Sequence, residues 1–197
     1  DHPDLRKRHS SSVPQIGGLV FGPLLLIIAW WLGLAPNWYL ISGLVSILLG
    51  ATDDVRHVQW QIKLTVQLAL AAYIATIFWG SFDTITFYNY SFPVTQIFLL
   101  AIFLFWFVGI YNAVNLLDGL DGLAGGFMVL VCMGAALAGN GTFAQLNFAI
   151  ATILLGFLVF NQRISKLFMG DAGSLFLGFH IAVMPLLFAE NMLFSKT

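Results

Sequence analysis

The sequence has 197 residues, 59% hydrophobic and only 9% charged, with a mean hydropathy of +0.90. That excludes an ordinary soluble domain, in which about a quarter of residues carry charge. The formal net charge of −1 says little about partners, and the single cysteine, Cys132, lies in an apolar run, which leaves neither a disulfide framework nor a Cys-based metal site.

The chain opens on a polar stretch, residues 1–15, in place of a short basic region followed by an apolar run. No signal peptide is expected, and the sequence reads as starting mid-protein or on the cytoplasmic side. Charge-free gaps follow between Arg8 and Asp53, Asp83 and Asp118, and Asp121 and Arg163. Each gap has room for two spans of about 20 residues, the length a helix needs to cross the hydrocarbon core. The expected spans are 16–34, 37–52, 62–80, 94–113, 123–139, 142–160 and 174–190, the second being short. Gly139-Asn140-Gly141-Thr142 is a tight turn signal between the fifth and sixth. Trp38, Tyr39, Trp60 and Trp79 fall near span ends, as interfacial aromatics do. With no internal repeat, low-complexity tract or soluble domain, the expected fold is an all-α polytopic membrane domain of about seven helices over residues 1–197.

A chain crossing seven times places alternate loops on opposite faces, so segments 1–15, 53–61, 114–122 and 161–173 share one face. That face carries Arg6, Lys7, Arg8, Arg56, Arg163 and Lys166, with Lys63 just inside the next helix, and only Lys196 falls opposite. The positive-inside rule makes it cytoplasmic. It also holds seven of the nine acids, Asp1, Asp4, Asp53, Asp54, Asp118, Asp121 and Asp171. Acids contribute little to orientation, so their clustering needs a chemical reason.

Asp53 and Asp54 end an apolar span and precede Val55-Arg56-His57. Adjacent carboxylates repel and favour a cation between them, and a hard ion such as Mg2+ binds through one or two carboxylates while phosphates and water complete its shell. A solvated loop start, with Arg56 as a weak partner, is the structural alternative. Asn112, Asn115, Asp118 and Asp121 follow at three-residue intervals. Each step turns about 60° on a regular helix, so the helix is expected to end or loosen here, with Gly119 and Gly122 permitting it. Capping and loop solvation are the alternative roles. Asn161, Arg163, Lys166, Phe168, Gly170, Asp171, Gly173 and Ser174 lead into the last span, whose N-terminus offers free N–H groups to an anion. There Asp171 or Ser174 can equally be an N-cap, and Arg163 and Lys166 topology determinants. No zinc spacing exists among His2, His9, His57 and His180, and no P-loop is present. His180, inside the last span, reads as a packed residue. Arg6-Lys7-Arg8-His9 can hold anionic lipid headgroups or simply anchor the first span.

At these residues the sequence resembles the polyprenyl-phosphate N-acetylhexosamine-1-phosphate transferases over essentially its whole length. The markers are the opening Asp1-His-Pro-Asp-Leu-Arg-Lys-Arg-His9 with Pro14-Gln-Ile-Gly-Gly18, then Gly50-Ala-Thr-Asp-Asp54, the segment from Asn112 to Ala124, and Phe168-Met-Gly-Asp-Ala-Gly-Ser174. The resemblance implies a multi-pass enzyme of the bacterial inner membrane. Its Mg2+-dependent reaction, with Mn2+ as a substitute ion, transfers N-acetylhexosamine 1-phosphate from a UDP-sugar to undecaprenyl phosphate and releases UMP. It also implies roles. Asp53, with Asp54 beside it, is the base that deprotonates the lipid phosphate, and Asp171 holds the metal. Asn115, Asp118, Asp121, Asn161, Phe168 and Gly170 line the nucleotide-sugar site, and Lys7 joins the substrate contacts.

The opening motif looks more like the enzymes that start O-antigen, enterobacterial common antigen or teichoic acid linkage units than like the muramoyl-pentapeptide transferases. UDP-GlcNAc is therefore the expected donor. The implied partners are the lipid phosphate, the UDP-sugar and the bilayer, without nucleic acid and with a homodimer allowed. Family members usually carry a helix before the opening and further helices with a His-rich loop after the last span, so the 197 residues read as an internal fragment. A secondary transporter or ion pathway is the competing class, since acids in polytopic proteins often mark ion routes. Such acids belong near the midplane, often at broken helices of inverted repeats, whereas here they sit at span ends.

Overall fold

A computed structural model of the chain describes residues 15–82, 84–87, 90–119, 122–161 and 167–194. In chain order these residues form α1 (Gly17–Trp31), α2 (Asn37–Arg56), α3 (Trp60–Ile77), β1 (Thr84–Phe87), β2 (Tyr90–Pro93), α4 (Gln96–Leu117), α5 (Leu123–Ala138), α6 (Gly141–Val159) and α7 (Gly170–Phe194). Apolar runs of this length become helices because lipid offers no partner to a free N–H or C=O, and a helix pairs its own. Their ends are set by local chemistry. Left-handed His57 (φ 46°) stops α2, the Thr95 hydroxyl accepts the Phe98 amide at the start of α4, and glycines at positive φ open α5, α6 and α7 (Gly122, Gly141, Gly170).

Every expected span is a helix, but the boundaries move in ways that matter. The span expected to be short, 37–52, extends through Asp53-Asp54 to Arg56, so the acid pair lies in a last helical turn rather than at a loop start. The last span begins at Gly170, not 174, which puts Asp171 in its first turn. Five helices are long and apolar enough to cross a membrane by length and composition, while α1 and α5 have 15 and 16 residues. At about 1.5 Å per residue those two fall short of a core about 30 Å thick. The antiparallel β1–β2 hairpin, pairing Thr84 with Pro93 and Phe87 with Tyr90, is an element beyond the expected helices. It joins α3 to α4, and Gln96 secures its base by accepting from the Gly80 amide (3.2 Å) and donating to the Phe82 carbonyl (2.6 Å).

The central helix is α7, which packs against α1, α2, α4 and α6, while α5 leans on α6 and α3 on α4. Lipid tails are as apolar as leucine, so helices associate through close packing and polar pairs rather than by escaping water. Three glycine contacts show how close the backbones come. A Cβ on Gly18 would lie 2.0 Å from the Gly173 nitrogen, one on Gly50 2.2 Å from the Asp171 carbonyl, and one on Gly178 2.6 Å from the Tyr111 carbonyl.

Polar ties cross the same seams. The Asn112 Nδ2 donates to Gln67 Oε1 (2.7 Å) between α4 and α3. Fully buried His180 on α7 bonds the Tyr39 hydroxyl of α2 (2.9 Å) and Asn147 Oδ1 of α6 (3.1 Å), in keeping with its reading as a packed residue. On α7, Pro185 has no N–H to give to the Ile181 carbonyl, and next to that gap the Trp106 indole donates to the Ala182 carbonyl (3.0 Å).

Candidate active site

Four helix ends meet at one end of the bundle: the C-termini of α2 and α4 and the N-termini of α1 and α7. The Gly17 and Gly18 amides, unpaired within α1, donate to the Phe168 and Met169 carbonyls (3.0 and 2.7 Å), which fixes the approach to α7 beside α1. Gly50 and Gly18 let the backbone of α7 press against α2 and α1, and the last turn of α2 then faces the first turn of α7.

The two adjacent acids of α2 take different partners. Asp54 accepts from the Asp171 amide through Oδ1 (2.7 Å) and the Ala172 amide through Oδ2 (3.1 Å), so its charge sits on the positive end of α7. This corrects the expectation of an open helix N-terminus waiting for an anion, because an internal carboxylate fills it. Gly170 explains the fit, since a Cβ there would lie 2.8 Å from Asp54 Oδ2.

Asp53 is buried, 4% exposed. Its Oδ1 accepts the Val58 amide (2.7 Å) and its Oδ2 an ion pair with Lys63 of α3 (2.5 Å). Repulsion between the neighbouring acids is thus relieved by a helix terminus on one side and a lysine on the other. Lys63 is the residue that sequence reasoning undervalued, taking it as one of the basic residues that set topology. Its position ten residues after Asp53, one helix on, is the signal that could have found it.

Asp171 completes the centre. Its carboxyl lies within hydrogen-bonding reach of the Asp53 carboxyl, and its Oδ1 accepts from Asn115 Nδ2 (2.7 Å), which also donates to Ser174 Oγ (2.8 Å). Two carboxyls facing each other need a proton or a cation between them. Among the described residues no group of three or more His, Cys, Asp or Glu is arranged to hold a metal ion. The donor set is therefore no all-protein cage, and two facing carboxyls suit an ion such as Mg2+ that draws its remaining ligands from substrate and water.

The other expected residues spread around this centre. Asp118 is the C-cap of α4. Asn161, at the end of α6, donates to the Leu167 carbonyl (2.7 Å), and among the described residues its buried Oδ1 has no partner. Phe168 and Gly170 precede Asp171 on the segment that α1 holds. Asn112 does not join them: it faces Gln67, and its regular three-residue spacing from Asn115 turns it toward α3 rather than α7. Lys7, Asp121, Arg163 and Lys166 lie outside the described residues.

Fold and site together define a polytopic α-helical membrane protein whose acidic and amide side chains are gathered where helix ends converge. A family model described as glycosyl transferase family 4 matches residues 37–189, and the chain belongs to that family. Among its relatives, the probable undecaprenyl-phosphate N-acetylglucosaminyl 1-phosphate transferase of Bacillus subtilis is 33% identical over 95% of this chain and 54% of its own length. The undecaprenyl-phosphate alpha-N-acetylglucosaminyl 1-phosphate transferase of Thermotoga maritima is 32% identical over 97% of this chain and 57% of its own. A phospho-N-acetylmuramoyl-pentapeptide-transferase of Streptococcus pyogenes is 35% identical over 94% and 62%. The chain thus spans a little over half of the length of these relatives.

Proposed function

We propose that this chain supplies the carboxylate centre of a Mg2+-dependent transferase. The enzyme moves N-acetylhexosamine 1-phosphate from a UDP-sugar to a polyprenyl phosphate of the undecaprenyl class, at the cytoplasmic face of a bacterial inner membrane. The observation that carries this reading is the pairing of Asp53 with Asp171, 118 positions apart, at a buried helix junction where Lys63 and Asn115 orient one carboxyl each. The relatives named for undecaprenyl-phosphate sugar transfer support the reaction class.

In this mechanism Asp53 takes the proton of the lipid phosphate. The freed oxygen bonds to the sugar-side phosphorus of the donor, the bond from that phosphorus to the bridging oxygen breaks, and its electron pair leaves with UMP. Asp171, steered by Asn115, would hold the metal, and the ion would supply neutralisation of phosphate charge. Lys63 balances the charge of Asp53 and fixes its second oxygen. Asp54 is a positioning residue, because it caps the first turn of α7 and so places the Asp171 carboxyl. Asp118, Asp121, Asn161, Phe168 and Gly170 contribute to the donor site, the Asn161 Oδ1, which has no partner among the described residues, offering an acceptor, and Lys7 contributes to lipid-phosphate binding. Catalysis of this kind works by positioning and charge neutralisation.

UDP-GlcNAc is the preferred donor on the strength of the opening motif, since relatives named for either sugar are similarly identical to this chain. The product would then start an O-antigen or teichoic-type glycan. An ion pathway fits less well, because the paired acids lie in the last turn of α2 and the first turn of α7 rather than midway. The test is UMP release from UDP-GlcNAc by membranes carrying the full-length protein, with and without Mg2+ and undecaprenyl phosphate. Release requiring both is the expected result. No release from any UDP-N-acetylhexosamine by inserted, folded protein would refute the assignment.

A further inference from the structure

At the opposite end of the bundle a cavity of about 460 Å3 opens between the α1–α2 loop, the start of α6 and the last turns of α7, with Leu34, Pro36, Phe143, Leu146, Leu187 and Glu190 among its walls. Glu190 is the one charged side chain among these lining residues, and among the described residues no lysine, arginine or histidine lines the space. It is half-buried. Among the described residues its hydrogen-bond donor is the neutral Trp38 indole (3.2 Å), which leaves the negative charge uncompensated. The charge also stands near the C-terminal end of α7, where the helix's unpaired carbonyls add negative potential and a carboxylate is disfavoured. A carboxylate kept in such a place invites a cation.

The walls are preformed. Asn191 donates to Asn140 Oδ1 (2.8 Å) and accepts from the Thr142 hydroxyl (3.2 Å), which pins the α5–α6 turn to α7. The level is that of the membrane boundary, marked by Trp30 and Trp31, 69% and 77% exposed at the same end of α1. An apolar floor with one carboxylate at the headgroup level matches an amphiphile that carries a primary ammonium.

We infer that this cavity binds a phospholipid of the ethanolamine class, its ammonium on Glu190 and its glycerol ester region against Leu34, Phe143 and Leu187. The inference stands apart from the proposed transfer reaction, whose carboxylates lie at the other end of α2 and α7. A choline headgroup fills similar space but has no N–H to donate, so it is the matched control.

The test is native mass spectrometry of the full-length protein taken from vesicles holding equal amounts of phosphatidylethanolamine and phosphatidylcholine. Retention of the ethanolamine lipid over the choline lipid by about ten-fold is expected, the size of one charge-assisted hydrogen bond. Glu190→Gln keeps an oxygen for the Trp38 indole and should bring the preference close to one. Ala35→Trp, which fills the cavity from the loop and leaves Glu190 in place, should abolish retention of both lipids. Equal retention of the two headgroups by the wild type, or a preference that survives either substitution, overturns the inference.

Discussion

Asp54 offers the sharpest test of how the site is built. Its two oxygens accept the Asp171 and Ala172 amides at 2.7 and 3.1 Å, two of the N–H groups that the first turn of any helix leaves unpaired. Losing a side-chain cap costs about 0.5–2 kcal/mol, and losing a negative charge at a helix N-terminus adds about 0.3–1 kcal/mol. Asp54→Ala is therefore expected to destabilise the protein by about 1–3 kcal/mol. Asp54→Asn, which keeps one acceptor oxygen, should cost about half as much. The assay pairs thermal unfolding of the purified full-length protein with UMP release. Both variants should unfold earlier, and Asp54→Asn should retain turnover at a reduced kcat. Abolished turnover in Asp54→Ala with unchanged unfolding would refute a positioning role and make the carboxylate part of the chemistry.

Asp53→Asn and Asp171→Asn should each abolish UMP release while membrane insertion, followed by fractionation, stays intact, and near-normal turnover by either would remove its assigned role. Gly18→Ala and Gly50→Ala would drive a Cβ into the backbone of α7 at 2.0 and 2.2 Å, so each should destabilise by at least about 1–3 kcal/mol. Gly109→Ala, whose Cβ would meet nothing within 4 Å, should be silent in the same unfolding measurement. A double-mutant cycle of Gln67→Leu and Asn112→Leu should give a coupling of about 0.6 kcal/mol, the average for polar pairs between membrane helices. A cysteine at exposed position 56 should react with an impermeant maleimide only from the cytoplasmic side and one at exposed position 140 only from the other, while buried Cys132 stays unlabelled. Labelling of both from one side would break the topology.

Helix number was legible because the charge gaps leave the chain little choice in lipid. Each of the expected spans overlaps a helix, and the turn at Gly139-Asn140-Gly141-Thr142 falls between α5 and α6. What hydropathy could not see was where polar residues continue a helix. Asp53-Asp54 stay helical because Lys63 and the α7 amides satisfy them, and those partners lie on other helices. The helix α7 begins four residues earlier than expected, at Gly170, and takes in Asp171 because Asp54 caps that end from α2. The hairpin escaped because Thr84-Ile-Thr-Phe87 is a strand too short to stand out among seven long apolar runs.

At the site, parity brought the right segments together but could not say which side chains would face each other. Asn112 and Asn115 look alike in sequence, yet a three-residue step around α4 sends one to Gln67 and the other to Asp171. Asp53 and Asp54 look like a matched pair, yet a one-residue step of about 100° turns one toward Lys63 and the other toward α7. The consequence is a division of labour within a dipeptide. Asp54 spends its charge holding α7 against α2, and this places the Asp171 carboxyl opposite Asp53. The Asp53–Asp171 pair can therefore respond to substrate charge only as long as Asp54 does not. A shift of α7 along its axis would separate the pair without altering either residue, so substitutions at Gly18, Gly50 or Gly170 should impair turnover even though none of these glycines has a side chain to offer the reaction.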